Sequence, residues 1–166
     1  MKRFHGFTAV ELMVVIAIVA ILASLAMPSF ASLFKRYQLD QDVRALESAI
    51  YLARSEAMKR GGGVTLTKLA CPSTTNIEWD CGWTVATTSG TPVVLKQVVT
   101  KGKNNINASG VTTRATFDRW GGIDAANPMS FSFQPKNDLS VEFTRKMCVS
   151  AGGRVRVTSG ASECKS

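Results

Sequence analysis

Met-Lys-Arg-Phe-His-Gly at positions 1–6 runs directly into Phe-Thr-Ala-Val-Glu-Leu-Met-Val-Val-Ile-Ala-Ile-Val-Ala-Ile-Leu-Ala-Ser-Leu-Ala-Met at 7–27, with Pro28 next. The first six residues are basic and end in glycine. The following stretch is apolar and carries a single charge, Glu11. As a helix it would measure about 30 Å, the thickness of a bilayer core. Lys2 and Arg3 would hold the N-terminus in the cytoplasm and place the later domain outside. An ordinary secretory signal would instead be cut beyond the apolar run, where Ala23, Ser24 and Ala26 offer small residues. Neither a plain anchor nor such a signal accounts for Glu11. A carboxylate inside an apolar helix is costly in lipid, needs a partner, and reads as functional.

Past Pro28 the helical pattern resumes at once, so the proline is expected to kink the helix rather than end it. Leu39, Val43, Leu46, Ile50, Ala53 and Ala57 recur at steps of three and four, a stripe on one helical face. Lys35, Arg36, Asp40, Arg44, Glu47, Arg54 and Lys59 fall on the opposite face. The pattern predicts a helix laid against a sheet and ended by Gly61-Gly62-Gly63. From Phe7 to Lys59 a single helix would be roughly 80 Å long. Its first half belongs in membrane or filament and its second in a globular head.

The remainder reads as short strands: 64–69, 83–87, 93–100, 111–117, 129–133, 141–143, 147–150 and 155–158. Gly, Asn, Pro and Ser clusters separate them, and 101–110 is expected to be the mobile loop. Asn107-Ala108-Ser109 matches a glycosylation sequon by chance. The fold class is therefore α+β, a long N-terminal helical spine packed against an antiparallel sheet head. The expected boundaries are a leader at 1–6, a membrane or filament helix at 7–28, and a head from 29 to 166.

The formal net charge is +8, and loss of a leader carrying Lys2 and Arg3 would lower it by two. Such a basic domain suits polyanions or a membrane surface, although a merely soluble basic surface reads the same way. Four cysteines, Cys71, Cys81, Cys148 and Cys164, lie beyond the apolar segment, where an oxidising compartment favours disulfides. Short loops close with less entropy, which favours Cys71–Cys81 and Cys148–Cys164 among three pairings. Zinc is disfavoured: no Cys-x-x-Cys exists, and the one histidine, His5, lies in the leader. No phosphate-binding loop, nucleophile elbow or paired carboxylate spacing is present, so no catalytic residue, metal or cofactor is expected.

Near the C-terminus, Gly152-Gly153 offers a turn tolerant of positive φ. In a strand after it, Arg154, Arg156 and Thr158 would share one face, and Val155 and Val157 would reach the core from the other. Two guanidiniums side by side suit phosphate, which arginine grips with two parallel hydrogen bonds. Lys136, Arg145, Lys146 and Lys165 are basic neighbours in sequence. No aromatic residue adjoins them, which points to backbone contacts with little sequence preference. A Cys148–Cys164 bond would stiffen this hairpin, adding about 3 kcal/mol for a loop of that length.

Gly6-Phe7-Thr8-x-x-Glu11-Leu12 resembles the class III signal of type IV prepilins, with Ala9 and Val10 replacing the bulkier pair usual there. The resemblance implies cleavage between Gly6 and Phe7 by a prepilin peptidase, methylation of the new Phe7 amine, and pairing of Glu11 with the amine of an adjacent subunit. It implies an inner-membrane precursor that packs with other pilins into a surface filament. Ala53-Arg54-Ser55-Glu56-Ala57-x-Lys59-Arg60, Gly82-Trp83, the stretch 117–121 and the cysteine-bounded C-terminal hairpin resemble the GspH/FimT group of minor pilins and pseudopilins. Gly153-Arg154-x-Arg156 is similar to a motif of those members that bind double-stranded DNA during natural transformation. The other function this resemblance allows is structural: priming a pilus, or serving a type II secretion filament, without DNA.

Overall fold

The structure, a computed structural model, describes residues 7–71, 79–88, 90–111, 113–124, 128–160 and 164, without the side chains of 25–29. The chain divides into two units, Met1–Arg36 and Tyr37–Ser166. Helix α1, Ala9–Arg60, is 52 residues long and continues past position 28 rather than ending there. The Pro28 side chain and the kink expected at it lie outside the described residues.

Both ends of α1 are closed by local chemistry. Thr8 is the N-cap: its Oγ1 accepts from the Glu11 N–H at 3.2 Å, and Glu11 Oε2 accepts from the Thr8 N–H at 3.1 Å. This reciprocal box satisfies two backbone donors that a helix N-terminus leaves orphaned. At the other end Gly61 adopts φ 77°, and the Gly62 N–H reaches back to the Ala57 carbonyl at 2.8 Å. That is the left-handed helix stop that glycine makes without strain. Arg60 and Lys59 pair with Glu56 at 2.9 and 3.1 Å, and these contacts, Arg60 first, hold the Glu56 carboxyl below its usual range.

Among the described residues eight strands form two antiparallel four-stranded sheets, which make up the antiparallel sheet head expected from the sequence. The first has the order β3-β2-β1-β5, from Val94–Val99, Gly82–Thr87, Val64–Lys68 and Arg114–Phe117. The second has the order β4-β6-β7-β8, from Asn104–Ser109, Met129–Pro135, Arg145–Val149 and Val155–Ser159. Leu39, Val43, Leu46, Ile50, Ala53 and Ala57, the whole predicted stripe, are buried. They share one core with Leu66, Trp83, Phe117, Ile106, Phe131, Phe133, Met147 and Val149. Trp79 completes it, edge-on to Phe131 at a centroid distance of 5.1 Å, with its backbone N–H on the Ile106 carbonyl at 2.8 Å.

Two local expectations are overturned. The segment expected to be a mobile loop, 101–110, contains β4. Asparagine is a poor strand former, but here burial of Ile106, pairing with β6 and an Asn104 hydrogen bond to Asp42 at 2.7 Å override local preference. Burial raises the Asp42 carboxyl above its usual value, and the Asn104 hydrogen bond opposes that rise. Val141–Phe143 is a 3-10 turn, not a strand, with only Phe143 buried. Two β-forming residues, Val141 and Phe143, have no partner strand among the described residues, and the backbone is satisfied locally, as in the Thr144 N–H to Val141 carbonyl bond at 3.1 Å. Val111–Phe117 shortens to Arg114–Phe117.

Leu46 is fully buried on α1, so Leu46→Ala should cost about 2–5 kcal/mol of stability. Exposed Gln41→Ala should stay within about 0.5 kcal/mol. Urea denaturation followed by tryptophan fluorescence checks both.

Candidate functional site

The β7–β8 hairpin turns at Ser150–Gly153, where the Gly153 N–H donates to the Ser150 carbonyl at 2.8 Å and the Arg154 N–H to Ser150 Oγ at 3.2 Å. Of the two glycines only Gly153 has positive φ, 75°. A Cβ there would collide with the Gly121 carbonyl oxygen, whereas one on Gly152 would meet nothing within 4 Å. Only Gly153, then, is required by the fold.

Strand register decides which side chains meet. Val149↔Val155 and Met147↔Val157 face inward, and Cys148↔Arg156 and Lys146↔Thr158 face outward. The outward row continues through Ser130 and Ser132 of β6 to Ser109 and Asn107 of β4. Arg154, one residue before β8, has the same parity as Arg156, and both are exposed. Arg154, Arg156 and Lys146 therefore lie on one polar sheet face, and among the described residues no carboxylate pairs with any of them. Cys148 bonds Cys164, so the chain beyond β8 is tied to this same face, and Cys71 bonds Cys81. Val155 packs against the core as expected, but Val157 is 39% exposed. Among the described residues β8 is an edge strand with one neighbour, and its second valine lines a shallow pocket with Val43 and Arg44 of α1 rather than reaching the core.

The other sequence neighbours do not gather there. Arg145 faces inward and pairs with Asp40 of α1 at 3.3 Å, a tie between helix and sheet. Lys136 pairs with Asp80 at 2.8 Å. It lies at the Pro135 end of β6, whereas the hairpin turn lies at the Met129 end, roughly 20 Å away along the strand. Lys103 accompanies Lys136, whose N–H binds the Lys103 carbonyl at 3.0 Å. Proximity in sequence was the wrong guide because antiparallel strands carry successive residues to opposite ends and faces. Lys165 and Gly6 lie outside the described residues.

Sequence reading missed what supports the turn. Arg54, expected on the solvent face of α1, is half-buried and donates from Nη1 to the Gly153 carbonyl at 3.2 Å. Its side chain also fills the space beside Gly121 and Gly153, and its Nε is buried without a partner. The 118–123 loop closes on the same place: the Ile123 N–H donates to the Ala151 carbonyl at 2.8 Å. Asp118 Oδ1 accepts the Trp120 and Gly122 N–H groups at 2.8 Å each, which fixes that loop. The available signal was glycine at 121 and 153, two places where an arginine stem could lie against bare backbone.

At the N-terminus, Phe7, Val10, Met13 and Ile16 are among many large apolar side chains more than half exposed. Among the described residues no helix is long and apolar enough to cross a membrane.

Gly153→Ala should destabilise the protein by at least about 1–2 kcal/mol, through left-handed strain and the Gly121 contact. Gly152→Ala should have a far smaller effect. Thermal unfolding of the two variants side by side checks the difference.

The profile of the Type II transport protein GspH family matches residues 42–153, and that of the prokaryotic N-terminal methylation motif matches 1–27. A fimbrial protein of Pseudomonas aeruginosa is 36% identical over 87 residues, 52% of this chain and 53% of that protein. A probable minor fimbrial protein of Dichelobacter nodosus is 46% identical over 39 residues, 24% of each chain. The chain thus spans about half the length, or less, of these curated relatives. The crystal structure of the Pseudomonas aeruginosa type IV minor pilin FimU superposes with a TM-score of 0.59 at 17% identity, covering 72% of this chain and 92% of that one. That likeness speaks for the fold, a long N-terminal helix followed by antiparallel sheets. By its sequence profile, the chain belongs to the GspH family of type IV pilin-like proteins.

Proposed function

We propose that this protein is a minor type IV pilin that binds double-stranded DNA nonspecifically, for uptake in natural transformation, through Arg154, Arg156 and Lys146. The observation that carries the reading is three cations on one face of an edge hairpin, Arg154 and Arg156 exposed and Lys146 half-buried, with no carboxylate pairing with them among the described residues. An isolated surface arginine is commonplace. A row of them on a flat polar face, in a chain of net charge +8, suits a line of phosphates. The strand offers no helix to enter a groove, so contacts would go to the backbone and sequence preference would be weak. Arg145 and Lys136, committed to Asp40 and Asp80, drop out of the interface. Lys165 stays a candidate on sequence alone, one residue beyond the Cys164 tie.

The N-terminal reading joins this one. Prepilin peptidase would cut between Gly6 and Phe7 in an inner-membrane precursor, and the Phe7 amine would be methylated. Residues 7–28 would cross the membrane and later line the filament core, with the head from 29 onward outside. Glu11 would neutralise the Phe7 amine of a neighbouring pilin in that low-dielectric bundle, where an unpaired charge is expensive. A second reading, a pseudopilin or purely structural pilin without DNA, is favoured by the type II transport description of the matching family.

In a gel-shift assay of the full chain, Arg154→Gln with Arg156→Gln should weaken duplex binding. Loss of two phosphate contacts should also flatten the log–log salt slope by about two. Circular dichroism should show an unchanged fold. Unaltered affinity would favour the structural reading. Separately, Glu11→Ala should be processed normally yet fail to enter filaments, and normal incorporation would contradict the assigned pairing.

A further inference from the structure

Trp120 is 80% exposed, while Trp79 and Trp83 are completely buried. An indole left in water is a large apolar surface with nothing over it, and here its backbone is held in place. Asp118 Oδ1 accepts the Trp120 N–H at 2.8 Å, and the Gly121 N–H returns to the Asp118 carbonyl at 3.1 Å. The loop is therefore built before any ligand arrives, which lowers the entropy lost on binding.

Its surroundings are low and mixed in charge, for the Asp118 carboxylate is taken up by the Trp120 and Gly122 backbone N–H groups while the cations nearby are not paired with a carboxylate among the described residues. Gly121 touches Gly153 through backbone, so Trp120 and Arg154, one residue outward on either side, lie at most about 14 Å apart. Arg119, the residue before it in the chain, is exposed, and among the described residues no carboxylate pairs with it. Gly121, Gly122 and Gly152 supply no side chains that would cover the ring. A protein partner would have to bring apolar surface and also answer Arg119, Arg154 and Arg156 with acids. A nucleic-acid strand carries both requirements in one repeating unit, a phosphate and a flat π-face. Stacking is available only to a base not already paired in a helix, so the chemistry selects an unpaired nucleotide.

We propose that Trp120 is a stacking site for an unpaired nucleobase, so that single strands or frayed duplex ends are held in preference to closed duplex. This rests on the reading of Arg154 and Arg156 as phosphate contacts and adds the strand state that the site prefers. Arg119 assists by pairing the phosphate that flanks the stacked base.

The test uses the full chain with three probes: a 20-mer of thymidylate, a blunt duplex, and a dumbbell duplex closed by loops too small to stack. Binding of the single strand should quench tryptophan emission. Trp120→Ala should weaken single-strand binding about tenfold while leaving dumbbell affinity within about twofold. Trp120→Phe should recover part of the loss, and equal melting temperatures should show that the fold is intact. The Arg154→Gln, Arg156→Gln pair should weaken all three probes. Unchanged single-strand affinity in Trp120→Ala, or an equal loss on every probe, overturns the stacking site and leaves the phosphate face standing. Loss of filament incorporation with DNA binding intact assigns the indole to a subunit contact and also overturns it. Failure of the wild type to bind any probe overturns both readings.

Discussion

Two four-stranded sheets bury their apolar sides against one helical face, the stretch of α1 from Leu39 to Ala57. The helix repeats every 3.6 residues and the strands every two, so each element can offer only one coherent apolar surface. Once Met147 and Val149 are committed to this core, Lys146 and Cys148 must face outward. Pairing then carries the constraint to β8, where Arg156 sits opposite Cys148. The cationic face is thus a consequence of how the second sheet packs. Arg54 adds one further link, running from the buried helix to the Gly153 carbonyl and fixing the turn from which Arg154 departs.

Much of this was legible. The helical stripe at 39–57, the glycine stop at 61–63 and both cysteine pairs follow from periodicity, φ tolerance and loop closure, while Gly82-Trp83 as the opening of β2 is implied by the family resemblance. The failures have common physical causes. β4 reads as a loop in sequence because Asn104, Asn105 and Asn107 oppose strand formation locally, and pairing with β6 and burial of Ile106 override them. Val141–Phe143 was read as a strand because residue type says nothing about whether a partner exists. Arg145 and Lys146 are adjacent in sequence, yet one is spent on Asp40 and the other faces solvent, since neighbours on a strand point to opposite sides. Arg54 and the 118–123 loop were invisible because their role lies in contacts nearly a hundred and about thirty residues distant along the chain.

The family and its N-terminal methylation motif make this a pilus-associated protein of the membrane and cell surface, in a family whose fold is structural. Within that frame Glu11 has a local function already: it closes the helix with Thr8. Thr8, the N-cap that this carboxylate holds, directly follows Phe7. The head carries its own core from Leu39 onward, leaving its outer sheet face free for chemistry.

We propose that the outward face of the second sheet binds phosphates without reading bases. The most direct measurement is the salt dependence of wild-type affinity for two duplexes of unrelated sequence. With Arg154, Arg156 and Lys146 each displacing one counterion, the log–log slope should be about −2.7 and the same for both duplexes. A slope near zero, or a strong preference for one sequence, would contradict the account.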